Sequence, residues 1–164
     1  MKFQVPLPLK LIVLVVGTTA LYTYIGQLVP QKEVQPPQET IIKNDVTPEE
    51  LAQIGKTVFE GKGLCVTCHT IGKSGALRFP DLGGIAQVAA TRHEGLDATH
   101  YLAQSIYRPD AFIVEGFNPG MPVINKPPIA LDDREILAVI AYLQSLGGTP
   151  TVTMDTTLAD LGVE

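Results

Sequence analysis

Between Leu11 and Val29 the chain runs for 19 residues without one charged side chain. At about 1.5 Å per residue, a helix of that length roughly matches the ~30 Å hydrocarbon core of a bilayer. In water it would present apolar surface on every side, so the run predicts one transmembrane helix. It also accounts for a mean hydropathy of +0.19, oily for a soluble chain this short. Lys2 and Lys10 precede the run, which suits an N-terminus held in the cytoplasm. Lys32 and Lys43 follow it, so the charge asymmetry alone is small. A cleaved signal peptide competes, with Thr18-Thr19-Ala20 as a poor cleavage site, but the apolar run continues well past Ala20. The reading is a retained signal-anchor over residues 1–29.

The remaining length suits one domain with extensions, since the whole chain has 164 residues. Lys and Arg total 12 against 17 for Asp and Glu, a net charge of −5 that argues against a nucleic-acid partner. Residues 30–46, with Pro30, Pro36 and Pro37 among Gln, Glu and Lys, read as an extended, semi-stiff linker. A domain over 47–147 then opens sharply. Thr47-Pro48-Glu49-Glu50 offers a capping Thr, a Pro at the first helical position and a Glu three residues after the cap. Leu51, Ile54, Val58 and Phe59 follow at helical spacing up to Gly61 and Gly63. A second helix is expected from Asp97 to just before Pro109, with Leu102, Ser105 and Ile106 inward. The third begins at the capping box Asp132-Asp133-Arg134-Glu135 and carries Ile136, Val139, Ile140, Leu143 and Leu146 as its stripe. Between them lie Gly- and Pro-rich loops without period-two strands, so the fold class is all-α. Residues 148–164 form a polar, Thr-rich tail, either frayed or with a short strand over Thr151–Met154 laid on a partner.

The chemistry sits in Gly63-Leu64-Cys65-Val66-Thr67-Cys68-His69-Thr70. Two cysteines three apart cannot staple a distant loop, which excludes a disulfide scaffold. Followed at once by His, they form C-x-x-C-H, the attachment signature of a c-type haem. Two thiols on one turn can form thioethers to both vinyl groups of one porphyrin, and the next side chain can ligate its iron. A sixth ligand is then to be sought. Met121, in Asn118-Pro119-Gly120-Met121-Pro122, lies 52 residues beyond His69 in a rigid loop and belongs to no helical stripe. His/Met is a known axial pair for such iron. Competing readings are a thioredoxin-like thiol pair, which lacks its βαβ surroundings, and a zinc site using Cys65, Cys68 and two of His69, His93 and His100, whose spacing fits no common finger. A gas-sensing haem protein, with Met121 labile or replaced by His93 or His100, is a further alternative.

With these residues in view, residues 47–147 resemble a membrane-anchored, monohaem class I cytochrome c domain. The resemblance implies three to five helices around one covalent haem c, with the first helix, Pro48–Glu60, crossing the last, Asp132–Leu146. Gly55 and Phe59 would meet Tyr142 and Leu143 at that crossing. It also implies that Pro80, in Phe79-Pro80-Asp81-Leu82-Gly83, offers its carbonyl to the iron-ligating His69. The site expected is therefore Cys65, Cys68, His69, Met121 and Pro80, with His69 and Met121 on the metal, no catalytic residue, and Arg78 and Arg108 as candidate propionate contacts.

His–Fe–Met ligation leaves no open position for substrate, which fits an electron carrier rather than an enzyme. Haem is attached to this family outside the cytoplasm, which implies a single-pass protein of the plasma (inner) membrane with its haem domain on the periplasmic or outer face. Over 47–147 eight basic side chains face eleven acidic ones, and only Lys62 and Lys73 lie near the haem motif. Strong electrostatic steering to redox partner proteins is not expected. Thr19, Thr23, Gly26 and Gln27 share one face of the membrane helix, a pattern suited to packing against another helix. Together these favour a subunit of a quinol-oxidising or oxidase complex, similar in architecture to the monohaem cytochrome of alternative complex III, over a free tethered shuttle.

Overall fold

A computed structural model describes residues 6–30 and 41–163. They fall in two compact units, of which the first is a single helix. Helix α1 spans Leu7–Leu28, 22 residues or about 33 Å. It is long and apolar enough to cross a membrane. The helix begins before the uncharged run, opened by Pro6 and by Pro8 in its first turn, where a missing N–H breaks no bond. Lys10 therefore lies inside it rather than ahead of it, while Lys2 and Lys32 lie outside the described residues. Thr18 donates its hydroxyl back to the Leu14 carbonyl at 2.8 Å, which lets a polar side chain sit in an apolar helix.

The second unit is all-helical: α2 (Pro48–Glu60), α3 (Ile85–Arg92), α4 (Ala98–Tyr107) and α5 (Asp133–Ser145), with no strand among the described residues. Both long helices start on reciprocal caps. Thr47 and Glu50 exchange side-chain and backbone bonds at 3.2 and 2.9 Å, and Asp132 and Glu135 do so at 2.8 and 2.9 Å. Each cap satisfies two of the N–H groups that a helix start leaves orphaned.

Helices α2 and α5 cross at Gly55. A Cβ there would stand 1.7 Å from the Ala138 carbonyl oxygen, so only hydrogen fits between the two backbones. One α2 turn later Phe59 packs its ring edge-to-face with Tyr142 at 5.3 Å. The sequence pattern gave α5 one apolar stripe, but every residue from Glu135 to Gln144 is buried. Other elements surround this helix, so it forms the axis of the core rather than one of its walls. Glu135 is buried with it, and Lys62 closes on its two carboxylate oxygens at 2.9 and 2.7 Å.

Three parts of the unit depart from the sequence reading. Helix α3 lies where a loop was expected. It is only eight residues long and starts at Gly84 in the left-handed region with no side-chain cap, so it lacks the signals that marked the others. Of the expected linker over 30–46, residues 31–40, with Pro36 and Pro37, lie outside the described residues. Its end belongs to the domain, because Ile42 is buried and its carbonyl accepts from Arg134 at 2.5 Å. The tail is neither frayed nor a strand. Val152 and Leu161 are in the core, and the buried Gln144 ties the tail down. Its amide nitrogen donates to Thr99 and Thr151, both at 2.9 Å, and its oxygen accepts the Thr151 and Val152 N–H groups at 2.8 and 3.3 Å. Two apolar residues spaced nine apart among threonines carry too little periodicity to announce this docking.

Candidate functional site

After α2 the chain turns through Gly61 and Gly63 into Leu64, whose φ of 55° places a β-carbon residue in the left-handed region. Gly63 is required there, since a Cβ would come within 2.9 Å of the Val58 carbonyl and 3.2 Å of Cys65 Sγ. This sharp turn leads into one 3-10 turn, Cys65–Thr67. The turn puts Cys65, Cys68 and His69 on the lining of one cavity of about 430 Å³. Both thiols are free. Burial pushes the Cys65 thiol up to about 11, so it stays protonated at neutral pH, unlike the activated thiolates of redox motifs.

The His69 ring is oriented by its far nitrogen. Nδ1 lies 2.9 Å from the Pro80 carbonyl oxygen. A carbonyl can only accept, so Nδ1 carries a hydrogen, and in the neutral ring Nε2 is then the nitrogen with the lone pair. The loop that presents Pro80 is built around Asp81, which the sequence reading had not singled out. Its carboxylate accepts from Thr70 Oγ1 at 2.6 Å and from the N–H groups of Gly72, Lys73 and Gly83 at 2.9, 2.9 and 2.8 Å. Those donors favour the charged form and hold the Asp81 carboxyl down at about 2. The Leu82 N–H adds a bond to the Thr70 carbonyl at 2.8 Å, stitching the segment after His69 to the Pro80 loop. The signal was present as Asp followed by Leu-Gly-Gly, a composition that favours Asx-type turns.

The opposite wall comes from a different part of the chain. Val114, Phe117, Pro119 and Met121 line the cavity from a loop in which Gly116 and Gly120 have φ of 86° and 139°. Leu102 and Ile106 of α4, Ile85 of α3 and Leu143 of α5 complete an apolar lining. All five expected site residues thus face one space: Cys65, Cys68, His69, Pro80 and Met121. Apolar walls, two adjacent thiols, an imidazole nitrogen with a free lone pair and a thioether form a donor set that fits haem c.

The alternative ligands are elsewhere. His93 packs edge-on against Phe112 at 4.8 Å and its Nδ1 meets the Glu94 carbonyl at 2.9 Å. His100 pairs with Asp97 at 2.7 Å. Neither lines the cavity, and among the described residues no three His, Cys, Asp or Glu side chains gather as a metal cluster. Neither of the two arginines expected at the propionates lines the cavity. Arg108 donates to the Gly162 carbonyl at 2.6 Å and Arg78 lies over the Phe79 ring, whereas the arginine on the cavity wall is Arg92. It was missed because its position on α3 was read as loop. Lys62, taken as a lysine beside the motif, is engaged by Glu135.

A protein-family model described as Cytochrome c matches residues 52–147. No curated protein matches the chain.

Proposed function

From its membership of the cytochrome c family, in which covalent haem c is the cofactor and electron transfer the activity, we propose that this chain is a membrane-anchored carrier with one His/Met-ligated haem. Bound haem supplies one-electron Fe(III)/Fe(II) chemistry. Cys65 and Cys68 would hold it as thioethers, and His69 Nε2 and Met121 would be the axial ligands. The observation that carries the reading is the convergence of Cys65, Cys68, His69 and Met121, drawn from two segments far apart in sequence, on one apolar cavity.

Each residue has a definable task. Pro80 fixes the His69 tautomer and ring plane through the 2.9 Å bond, and Asp81 fixes Pro80. The apolar walls exclude water, which keeps reorganisation small when charge moves. The Gly- and Pro-containing loop around Met121 holds a flexible thioether in place.

Helix α1 supports a membrane anchor, and the attachment of haem outside the cytoplasm in this family supports an inner-membrane protein with its N-terminus cytoplasmic and its haem domain outside. The Thr19, Thr23, Gly26 and Gln27 face supports a fixed place beside other membrane helices, as a subunit of a quinol-oxidising assembly resembling alternative complex III that passes electrons to a soluble carrier, oxidase or reaction centre.

Two experiments test this. In the haem-loaded full chain, Met121→Ala should convert the iron to a high-spin, carbon-monoxide-binding form and lower its potential. An unchanged spectrum and potential would refute the ligand assignment. A native gel of mildly solubilised membranes, stained for haem, should show the chain in a large quinol-oxidising or oxidase band. Migration alone with its micelle would refute the subunit reading and leave a tethered shuttle.

A further inference from the structure

The segment after residue 147 lies beyond the match to the family, yet it is built into the domain. Val152 and Leu161 are 3% and 1% exposed. The tail is also tied to both ends of α4. In the first turn of that helix Thr99 shares the Gln144 amide with Thr151, at 2.9 Å each. At the far end Arg108, which closes α4, donates to the Gly162 carbonyl at 2.6 Å. Gly162 has a φ of 65° and lies so near the His100 ring that a Cβ would stand 2.9 Å from Cδ2. Thr99 and Arg108 are about 14 Å apart along the helix, so the tail brackets α4 over its whole length.

Through α4 such a bracket reaches the cavity. Tyr101, Leu102, Ser105 and Ile106 line that space, while Ala103 does not and is fully buried nonetheless. The helix is therefore packed on both sides. From Arg108 the chain enters Pro109, also on the lining, and then the loop that carries Phe117 and Met121. A shift at Arg108 moves both the α4 wall and the root of that loop. No described residue of the tail lines the cavity, so what the tail contributes there acts through α4. Interiors are close-packed, and a gap of a fraction of an ångström forfeits contacts that keep water out.

On the haem reading of this cavity, we infer that the tail is a positioning element: Leu161 and the bonds at Gln144 and Gly162 hold α4 against the cavity, keep water from the haem and so raise the affinity of its iron for an electron. Haem carries one more positive charge as Fe(III) than as Fe(II), and water stabilises that charge, so a looser wall favours Fe(III). The test is potentiometric titration of the haem-loaded full chain as Leu161→Ala, Leu161→Met, Gln144→Leu and Thr47→Ala, with pyridine haemochrome spectra to measure covalent haem. None of the four changes the net charge. Thr47→Ala loses the cap of α2 and is destabilised away from α4. Leu161→Ala and Gln144→Leu should each shift the equilibrium roughly two- to tenfold toward Fe(III), where tenfold is 59 mV for one electron. Leu161→Met, which keeps the volume, should recover most of the shift. Thr47→Ala should melt earlier yet keep the wild-type potential. A wild-type chain without thioether-linked haem would overturn the haem reading itself. Normal haem content with Leu161→Ala and Gln144→Leu at the potential of Thr47→Ala would overturn only the positioning role. If Leu161→Ala does not accumulate as a haem protein, Gln144→Leu decides: a lowered potential supports the role and an unchanged one refutes it.

Discussion

Gly55→Ala sets two effects of opposite sign against each other. Helix propensity alone favours alanine by about 1 kcal/mol within a helix. The crossing opposes it. The added Cβ would lie 1.7 Å from the Ala138 oxygen, 2.3 Å from its carbonyl carbon and 3.0 Å from Tyr142 Cβ, whereas ordinary contact begins at 3.4 Å. The obstructing atoms are backbone in the middle of α5, so they cannot swing aside. The helices must part by about 1.7 Å along that line, the difference between the contact limit and the available space. A gap of even 0.5–1 Å forfeits roughly a quarter to a half of each dispersion contact. Overpacking therefore reaches the upper part of its usual range, about 3 kcal/mol. Loss of the Phe59–Tyr142 edge contact adds about 1 kcal/mol. After the propensity gain the variant should be less stable by roughly 3 kcal/mol, a fall in Tm of about 12–24 °C for a domain of this size. Thermal and urea unfolding of the haem-loaded chain in detergent, followed at the haem band and by far-UV circular dichroism, measures this directly. A Gly55→Ala protein as stable as wild type, or more so, refutes the claim that backbone contact at this residue sets the crossing.

Further outcomes follow from individual contacts. Glu135→Gln strands the Lys62 ammonium, whose side chain is 31% exposed; a loss of about 2 kcal/mol in urea unfolding is expected, less than for a fully buried pair. Gln144→Leu leaves the Thr151 and Val152 N–H groups without their acceptor, so limited proteolysis should remove the tail while the haem spectrum is kept. A tail as resistant as in the wild type counts against Gln144 as its tether. Asp81 is held at about 2 when folded, below its unfolded value near 3.9. Its stabilising contribution is therefore complete above about pH 4 and lost as pH falls through 2. The Tm difference between wild type and Asp81→Asn should accordingly close between pH 5 and pH 2, and a constant difference contradicts the charge-based account.

Capping residues and one pentapeptide made much of the fold and site legible. The residues around Thr47 and Asp132 set the starts of α2 and α5 because a cap is local chemistry, settled within four residues. The motif Cys65–His69 and the loop at Met121 could be joined because haem chemistry asks for a ligand on each face. Helix α3 was not legible, since its start is set by Gly84 and by packing of Ile85 and Ala89, which no nearby residue reports. The tail failed for the same reason at longer range. Gln144 reads as a polar residue at a helix end, and its burial makes sense only once Thr99 and Thr151 are beside it. Arg92 shows how one missed helix propagates, because a residue assigned to a loop has no defined direction.

The partners that close this domain are widely separated along the chain: Lys62 and Glu135 are 73 positions apart, and Ile42 and Arg134 are 92 apart. That separation has a consequence in time. Contacts so distant along the chain form late, because the intervening segment must first be made and then gathered in. As the polypeptide emerges, α2 has nothing to bury against until α5 follows it. The Cys65–His69 segment therefore spends that interval on an open chain, within reach of whatever must modify it. Only when α5 arrives, bringing Val139 and Leu143, is the cavity lined by Cys65, Cys68 and His69 complete. One topology thus leaves the motif on an open chain until the cavity it lines is complete.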